Sequence, residues 1–171
     1  MYKLNMLNDI AAEKKCFLIC ITESHLNDYI SLNETEINGY EQVRSDRKKR
    51  MGGGVICFVN DSIPITNSLS YSNGYCELVC LNLSSINTVN ISLYRPPGCP
   101  LDKFMDVMKI MNDWMNNQEC VISPKVILNG DMNMPFMYDW SEEKTTELLD
   151  YYSDRLEKGK TMLTPYSHIN R

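Results

Sequence analysis

No apolar run in the 171 residues approaches the ~20 that a membrane-spanning helix requires. The most continuous, Cys16-Phe17-Leu18-Ile19-Cys20-Ile21, falls far short of that. The N-terminus, Met1-Tyr2-Lys3-Leu4-Asn5, offers no basic region followed by an apolar stretch, so no secretory signal is legible. Histidine is scarce, with only His25 and His168, and no Cys-x-x-Cys pair occurs, which argues against a structural zinc site. Seven cysteines, an odd number without a secretory signal, fit a reducing compartment better than a disulfide framework. An intracellular location, nucleus or cytoplasm, is therefore expected. Basic residues are also outnumbered, 17 against 22, for a net charge of −5. That balance argues against a surface that attracts nucleic acid everywhere, although a local basic patch remains open.

With 43% hydrophobic and 23% charged residues, the chain is ordinary for a globular protein with a sizeable core. One domain over residues 1–171 is expected. Charge is segregated along it. Arg44, Arg47, Lys48, Lys49 and Arg50 fall close together with Asp46 between them, whereas Asp139 to Asp150 is strongly acidic.

Apolar spacing predicts a short amphipathic helix from Leu4 to Lys15. Cys16 to Ile21 reads as a strand buried on both faces, and Tyr40 to Arg44 and Val55 to Val59 as two more strands. Glu77–Leu83 and Val89–Tyr94 are predicted to pair as a hairpin through the turn-forming segment Ser84 to Thr88. Pro96, Pro97 and Pro100 break the chain before a helix whose stripe is Leu101, Phe104, Met105, Met108, Met111, Trp114 and Met115. Lys125 to Leu128 reads as a further buried strand, and Ser141 to Leu156 as a polar helix. Cys16, Cys20, Cys57, Cys76 and Cys80 lie in apolar runs, where free thiols pack as small hydrophobes. Strands interleaved with helices, plus one hairpin, predict a layered α/β sandwich with a mixed sheet.

In such folds, polar residues just past the ends of buried strands converge on one ligand-binding rim. Three exits carry suitable chemistry: Thr22-Glu23-Ser24-His25, Tyr94-Arg95-Pro96-Pro97 and Asn129-Gly130-Asp131-Met132-Asn133. Carboxylates at strand tips suit a hard divalent ion, and magnesium needs only one or two of them. Each exit alone is equally well read as a cap or a turn.

Taken in order, the exits resemble the endonuclease/exonuclease/phosphatase superfamily, and in particular the apurinic-like endonuclease domain of non-LTR retrotransposons. The resemblance rests on Thr22-Glu23-Ser24-His25-Leu26, on Arg44-Ser45-Asp46-Arg47 with Gly52-Gly53-Gly54-Val55, on Tyr94-Arg95-Pro96-Pro97, and on Gly130-Asp131-Met132-Asn133 with Pro135 and Trp140. It is strongest over residues 4–140. It implies Glu23 as a magnesium ligand and Asp131 as the group that aligns or activates the attacking water. Asn133 would position that water and the scissile phosphate, and Tyr94 would hydrogen-bond a phosphate oxygen. Arg44, Arg47, Lys48, Lys49 and Arg50 would face a DNA backbone, with DNA and a reverse transcriptase in a longer parent chain as the implied partners, and no membrane.

The family's opening strand with its asparagine and its closing Ser-Asp-His have no counterparts here; Ser153-Asp154-Arg155 and His168 are poor substitutes. A domain incomplete at both ends, with weak magnesium binding, is the corresponding expectation. Two other functions stay open: a catalytically inactive remnant acting as a nucleic-acid-binding or interaction module, and a phosphoesterase for non-DNA substrates. The basic segment is also readable as a solvated loop or a nuclear-import signal, and the three glycines as a means of freeing the backbone before a strand.

Overall fold

The computed structural model describes residues 2–48, 52–118, 124–133 and 161–163. Lys49, Arg50, Pro135, Trp140, the helix expected over 141–156, Ser153-Asp154-Arg155 and His168 lie outside the described residues. Along the chain run α1 (Tyr2–Lys14), β1 (Leu18–Thr22), β2 (Tyr40–Ser45), β3 (Val55–Asn60), β4 (Asn67–Ser72), β5 (Glu77–Leu83), β6 (Thr88–Tyr94), α2 (Leu101–Asn116), β7 (Lys125–Asp131) and β8 (Thr161–Leu163). No helix among the described residues is long and apolar enough to cross a membrane.

The strands form two sheets. One has the order β1-β3-β2, all antiparallel, and the other β4-β5-β6-β7-β8, antiparallel up to β6 and parallel beyond it. The parallel β6–β7 pair requires a crossover, which α2 supplies. Side-chain alternation then builds four layers. On β5 and β6, Leu78, Cys80, Val89, Ile91 and Leu93 face α2, meeting Phe104, Val107, Met108 and Met111. Val79, Leu81 and Leu83 face the other way, against Val55, Cys57 and Val59 of β3. The opposite face of β3, Ile56 and Phe58, packs with Ile37 and with Ala11 of α1. Strands sandwiched this way read as continuous apolar runs, which is why their pattern was legible.

The expected mixed α/β sandwich is present, with several local differences. The run at Cys16 forms a strand only from Leu18, and no β1 residue is fully buried, because β3 is its one partner in the sheet. β4 was not predicted. Its sequence, Asn-Ser-Leu-Ser-Tyr-Ser, has little apolar content, and the strand is defined by its backbone ladder to β5. β7 continues beyond Leu128 to Asp131, since its parallel ladder with β6 runs on until Tyr94 faces Asp131.

Cys20 and Cys57 do not pack simply as small hydrophobes. Their thiols meet a polar ring between the sheets: Asn90 donates to Ser92 at 3.0 Å, Ser92 to Asn129 at 2.8 Å, and Asn129 back to Asn90 at 2.7 Å. Asn90 and Ser92 are fully buried, so these bonds offset the cost of removing their amide and hydroxyl groups from water.

Candidate functional site on the sheet rim

The parallel register of β6 and β7 sets Tyr94 beside Asp131, and the Arg95 N–H extends the ladder to the Asp131 carbonyl at 2.9 Å. From the facing sheet, β1 delivers Glu23 one residue past its end, and the Tyr94 hydroxyl donates to the Glu23 carboxylate. Asn133 turns back on the same cluster: its N–H donates to Asp131 Oδ1 at 3.1 Å and its carboxamide to the Arg95 carbonyl at 3.0 Å. Glu23, Tyr94, Asp131 and Asn133 thus share one rim, with contributions from both sheets.

Tyr94 is only 3% exposed, whereas Glu23 is exposed and Asp131 and Asn133 are half-buried. Burial first, and then the bond to the Glu23 carboxylate, push the Tyr94 phenol well above the usual tyrosine range; the charge of Asp131 adds to this and that of Arg47 opposes it. The phenol is therefore a hydrogen-bond donor at any physiological pH.

The turn that presents Glu23 is conformationally costly. Glu23 and His25 have φ of 53° and 56°, left-handed values that cost non-glycine residues about 1–2 kcal/mol each. Two backbone bonds hold them there: Ser24 N–H to the Gly54 carbonyl at 3.2 Å and His25 N–H to the Gly53 carbonyl at 2.9 Å. The glycines allow this close approach. A Cβ on Gly53 would lie 2.5 Å from the Arg47 guanidinium carbon, and one on Gly54 would collide with the Ser24 hydroxyl. The Gly52-Gly53-Gly54 segment thus cradles the glutamate turn, a more specific role than freeing the backbone before β3.

The basic residues divide. Arg47 points inward, with Nε and Nη2 each donating to a different oxygen of Glu77 at 2.8 Å and Nη2 also to the Tyr75 carbonyl at 2.9 Å. The Arg47 and Glu77 side chains are 9% and 0% exposed, and the guanidinium carbon sits 5.3 Å from the centre of the Tyr94 ring. Arg44 is also internal, paired with Asp46 at 3.1 Å and donating to the Ile30 carbonyl at 2.6 Å. These two arginines do not face solvent as a DNA-contacting surface would require, because buried carboxylates and carbonyls already engage them. Lys48 is exposed and lines a pocket of about 390 Å³ together with Asp28, Arg44, Asp46, Ser70 and Ser72.

Two site-building residues had no role in the sequence reading. Glu77 accepts from Arg47 and also from the Gly54 N–H and the Ser72 hydroxyl, both at 3.3 Å. Its signal was available: a lone acid opening the apolar run Leu78–Leu83 is a buried charge in need of a partner. Arg95, 6% exposed, donates to the carbonyls of Asn133 and Cys99, both at 2.9 Å, and of Met132 at 3.3 Å.

The donors on the rim are all oxygen: two carboxylates, a carboxamide and a phenol. That set suits a hard cation such as magnesium, which uses one or two carboxylates and keeps waters for the rest. No group of three or more His, Cys, Asp or Glu placed to hold a metal ion occurs among the described residues.

No protein-family model matches the chain, and no curated protein sequence does. Solved structures do share its fold. TDP2 from Caenorhabditis elegans superposes with a TM-score of 0.54 at 12% identity, covering 78% of this chain and 43% of that one. A humanized D. rerio TDP2 gives 0.53 at 11% identity, over 77% and 55%. An AP endonuclease from Archaeoglobus fulgidus gives 0.51 at 17% identity, over 84% and 58%. The chain thus spans roughly half the length of these structures. What it shares with them is the layered α/β sandwich of the endonuclease/exonuclease/phosphatase-like fold.

Proposed function

We propose that this chain carries the core of a metal-dependent phosphodiester hydrolase acting on DNA, of the kind used by the retrotransposon endonucleases its motifs resemble. The observation that supports it most is the convergence of Glu23, Tyr94, Asp131 and Asn133 from two sheets onto one rim, with Tyr94 bonded to Glu23 and Asn133 to Asp131. Glu23, the most exposed of the four, is the magnesium ligand. Bound there, magnesium would supply charge neutralisation at the phosphate. With the Glu23 carboxylate taken up by the metal, the single Tyr94 hydroxyl hydrogen, which Glu23 accepts in this structure, would turn to a non-bridging phosphate oxygen where negative charge accumulates. Asp131 accepts a hydrogen bond from the attacking water and aligns it, and the Asn133 carboxamide holds water and phosphate in register. Lys48, with Lys49 and Arg50, supplies the sequence-independent contact to the DNA backbone. In a longer parent chain a reverse transcriptase would be the natural partner, and a DNA substrate fits work in the nucleus or cytoplasm.

Nicking of supercoiled plasmid in magnesium tests this reading. Nicking that falls at least about 100-fold in Asp131→Ala and Glu23→Gln is expected. Salt-sensitive binding with no nicking would favour the alternative of a non-catalytic DNA-binding module. Neither binding nor nicking would overturn both.

A further inference from the structure

Two arginines drawn from the recognised motifs, Arg47 and Arg95, are buried against the rim rather than presented on it. Each stacks on an aromatic ring, Arg47 at 5.3 Å from the centre of Tyr94 and Arg95 at 5.4 Å from that of Phe104. Each also spends its planar fork on fixed acceptors. Arg47 clamps Glu77 with two nitrogens, and Glu77 in turn accepts from the N–H of Gly54, whose carbonyl holds the Ser24 N–H of the glutamate turn. Arg95 bonds the carbonyls of Met132 and Asn133 through Nη1 and that of Cys99 through Nη2, while its own carbonyl accepts from the Asn133 carboxamide and its N–H donates to the Asp131 carbonyl. One guanidinium therefore touches the Glu23–Tyr94 half of the cluster, and the other the Asp131–Asn133 half.

We infer that Arg47 and Arg95 are positioning residues that divide the rim between them: Arg47, with Glu77, fixes the Tyr94 ring and the Glu23 turn, and Arg95 fixes the segment Asp131–Asn133. The inference deepens the hydrolase reading and rests on it only where activity is measured. The chemistry selects arginine. A lysine carries the charge but presents no planar fork to two carboxylate oxygens or two carbonyls, and it stacks poorly on a ring. Groups that orient catalytic and metal-binding side chains typically matter 10–100-fold without touching substrate.

The test uses the full chain, wild type against Arg47→Lys and Arg95→Lys. Two NMR signals report position directly: the 13Cζ of labelled Tyr94, identified by its loss in Tyr94→Phe, and the side-chain amide of Asn133, identified by its loss in Asn133→Asp. Arg47→Lys is expected to shift the Tyr94 signal and weaken its broadening by Mn2+ about tenfold in titration, leaving Asn133 in place. Arg95→Lys is expected to do the reverse, moving Asn133 and sparing Tyr94. In plasmid nicking, each should lower kcat about 10–100-fold with KM within about twofold. A folded variant that moves neither signal overturns the inference, and one that moves both equally overturns the division. A raised KM with unchanged kcat and a shallower salt dependence also overturns it, because that pattern marks a phosphate contact. If Arg47→Lys fails to fold, the double variant Arg47→Met/Glu77→Gln, which removes both buried charges together, takes its place with the same expected outcomes. If the wild-type chain neither binds Mn2+ nor nicks DNA, the hydrolase reading falls, and the two NMR signals still decide the positioning.

Discussion

Every residue of β5 and β6 is buried, whereas no residue of β1 in the facing sheet is. The two sheets use similar residue types, so the difference comes from what surrounds them. The five-stranded sheet has α2 on one face and the other sheet on the opposite face, and β5 and β6 have partners on both edges. In the three-stranded sheet only β3 is enclosed in that way. The candidate site crosses this boundary: Tyr94, Asp131 and Asn133 follow from the well-covered sheet, and Glu23 from the sparsely covered one. Its geometry therefore depends on ties between the sheets, above all Arg47 with Glu77 and Tyr94 with Glu23.

The largest expected effect breaks that tie. Arg47→Ala leaves the fully buried Glu77 carboxylate without a cationic partner, and should cost about 3–5 kcal/mol in urea unfolding. A cost under about 1 kcal/mol would mean that the sheets hold together without it.

The next compares like with like. Leu78→Ala removes a side chain buried between β5 and α2 and should cost about 2–5 kcal/mol. Leu18→Ala, half-buried on β1, should cost less than half as much. Equal costs would show that the three-stranded sheet is as tightly packed as its partner.

Thiol reactivity sharpens the same contrast without changing stability. Burial pushes the Cys80 thiol up to about 12, while the hydrogen bond with Cys57 leads those that lower Cys20 below the ordinary cysteine value. Mass-spectrometric mapping with a maleimide at mildly alkaline pH should find Cys20 modified at least about tenfold faster than Cys80. Modification of Cys80 first would contradict the burial difference.

The smallest effect lies at the edge where β2 meets β4. Burial and the nearby charge of Asp28 outweigh Arg44 and hold the Asp46 carboxyl above its ordinary value. The native state thus binds this proton more tightly than the unfolded chain does. The stabilisation is present at acid pH and is lost as pH rises from about 3.8 through the higher native value. Asp46→Asn should remove this loss, so the variant gains on wild type as pH climbs through that window. A gain that grows toward acid would reverse the sign.

Much of this arrangement was legible in the chain. Strands enclosed on both faces must be apolar throughout, which exposed β3, β5 and β6, and the period of the Phe104–Met111 stripe exposed α2. Polar residues following short apolar runs located Glu23, Tyr94 and Asp131 at strand ends, where the fold gathers them. β4 escaped because a backbone ladder, rather than side-chain burial, makes it a strand.

The sequence by itself determined the layered α/β class, the hairpin, the helix after the prolines and the order of the rim residues. Each of these follows from local periodicity or from a turn, and needs no knowledge of distant neighbours. Tertiary structure alone decided which charges are surface and which are scaffold. Arg44 and Arg47 look like their exposed neighbour Lys48 in a linear string, and only the meeting of β2 with β5, some thirty residues later, shows Arg47 turned onto Glu77 and Tyr94. The physical reason is that a charge carries no direction in sequence. Whether it meets water or a buried carboxylate depends on what the rest of the chain brings to it.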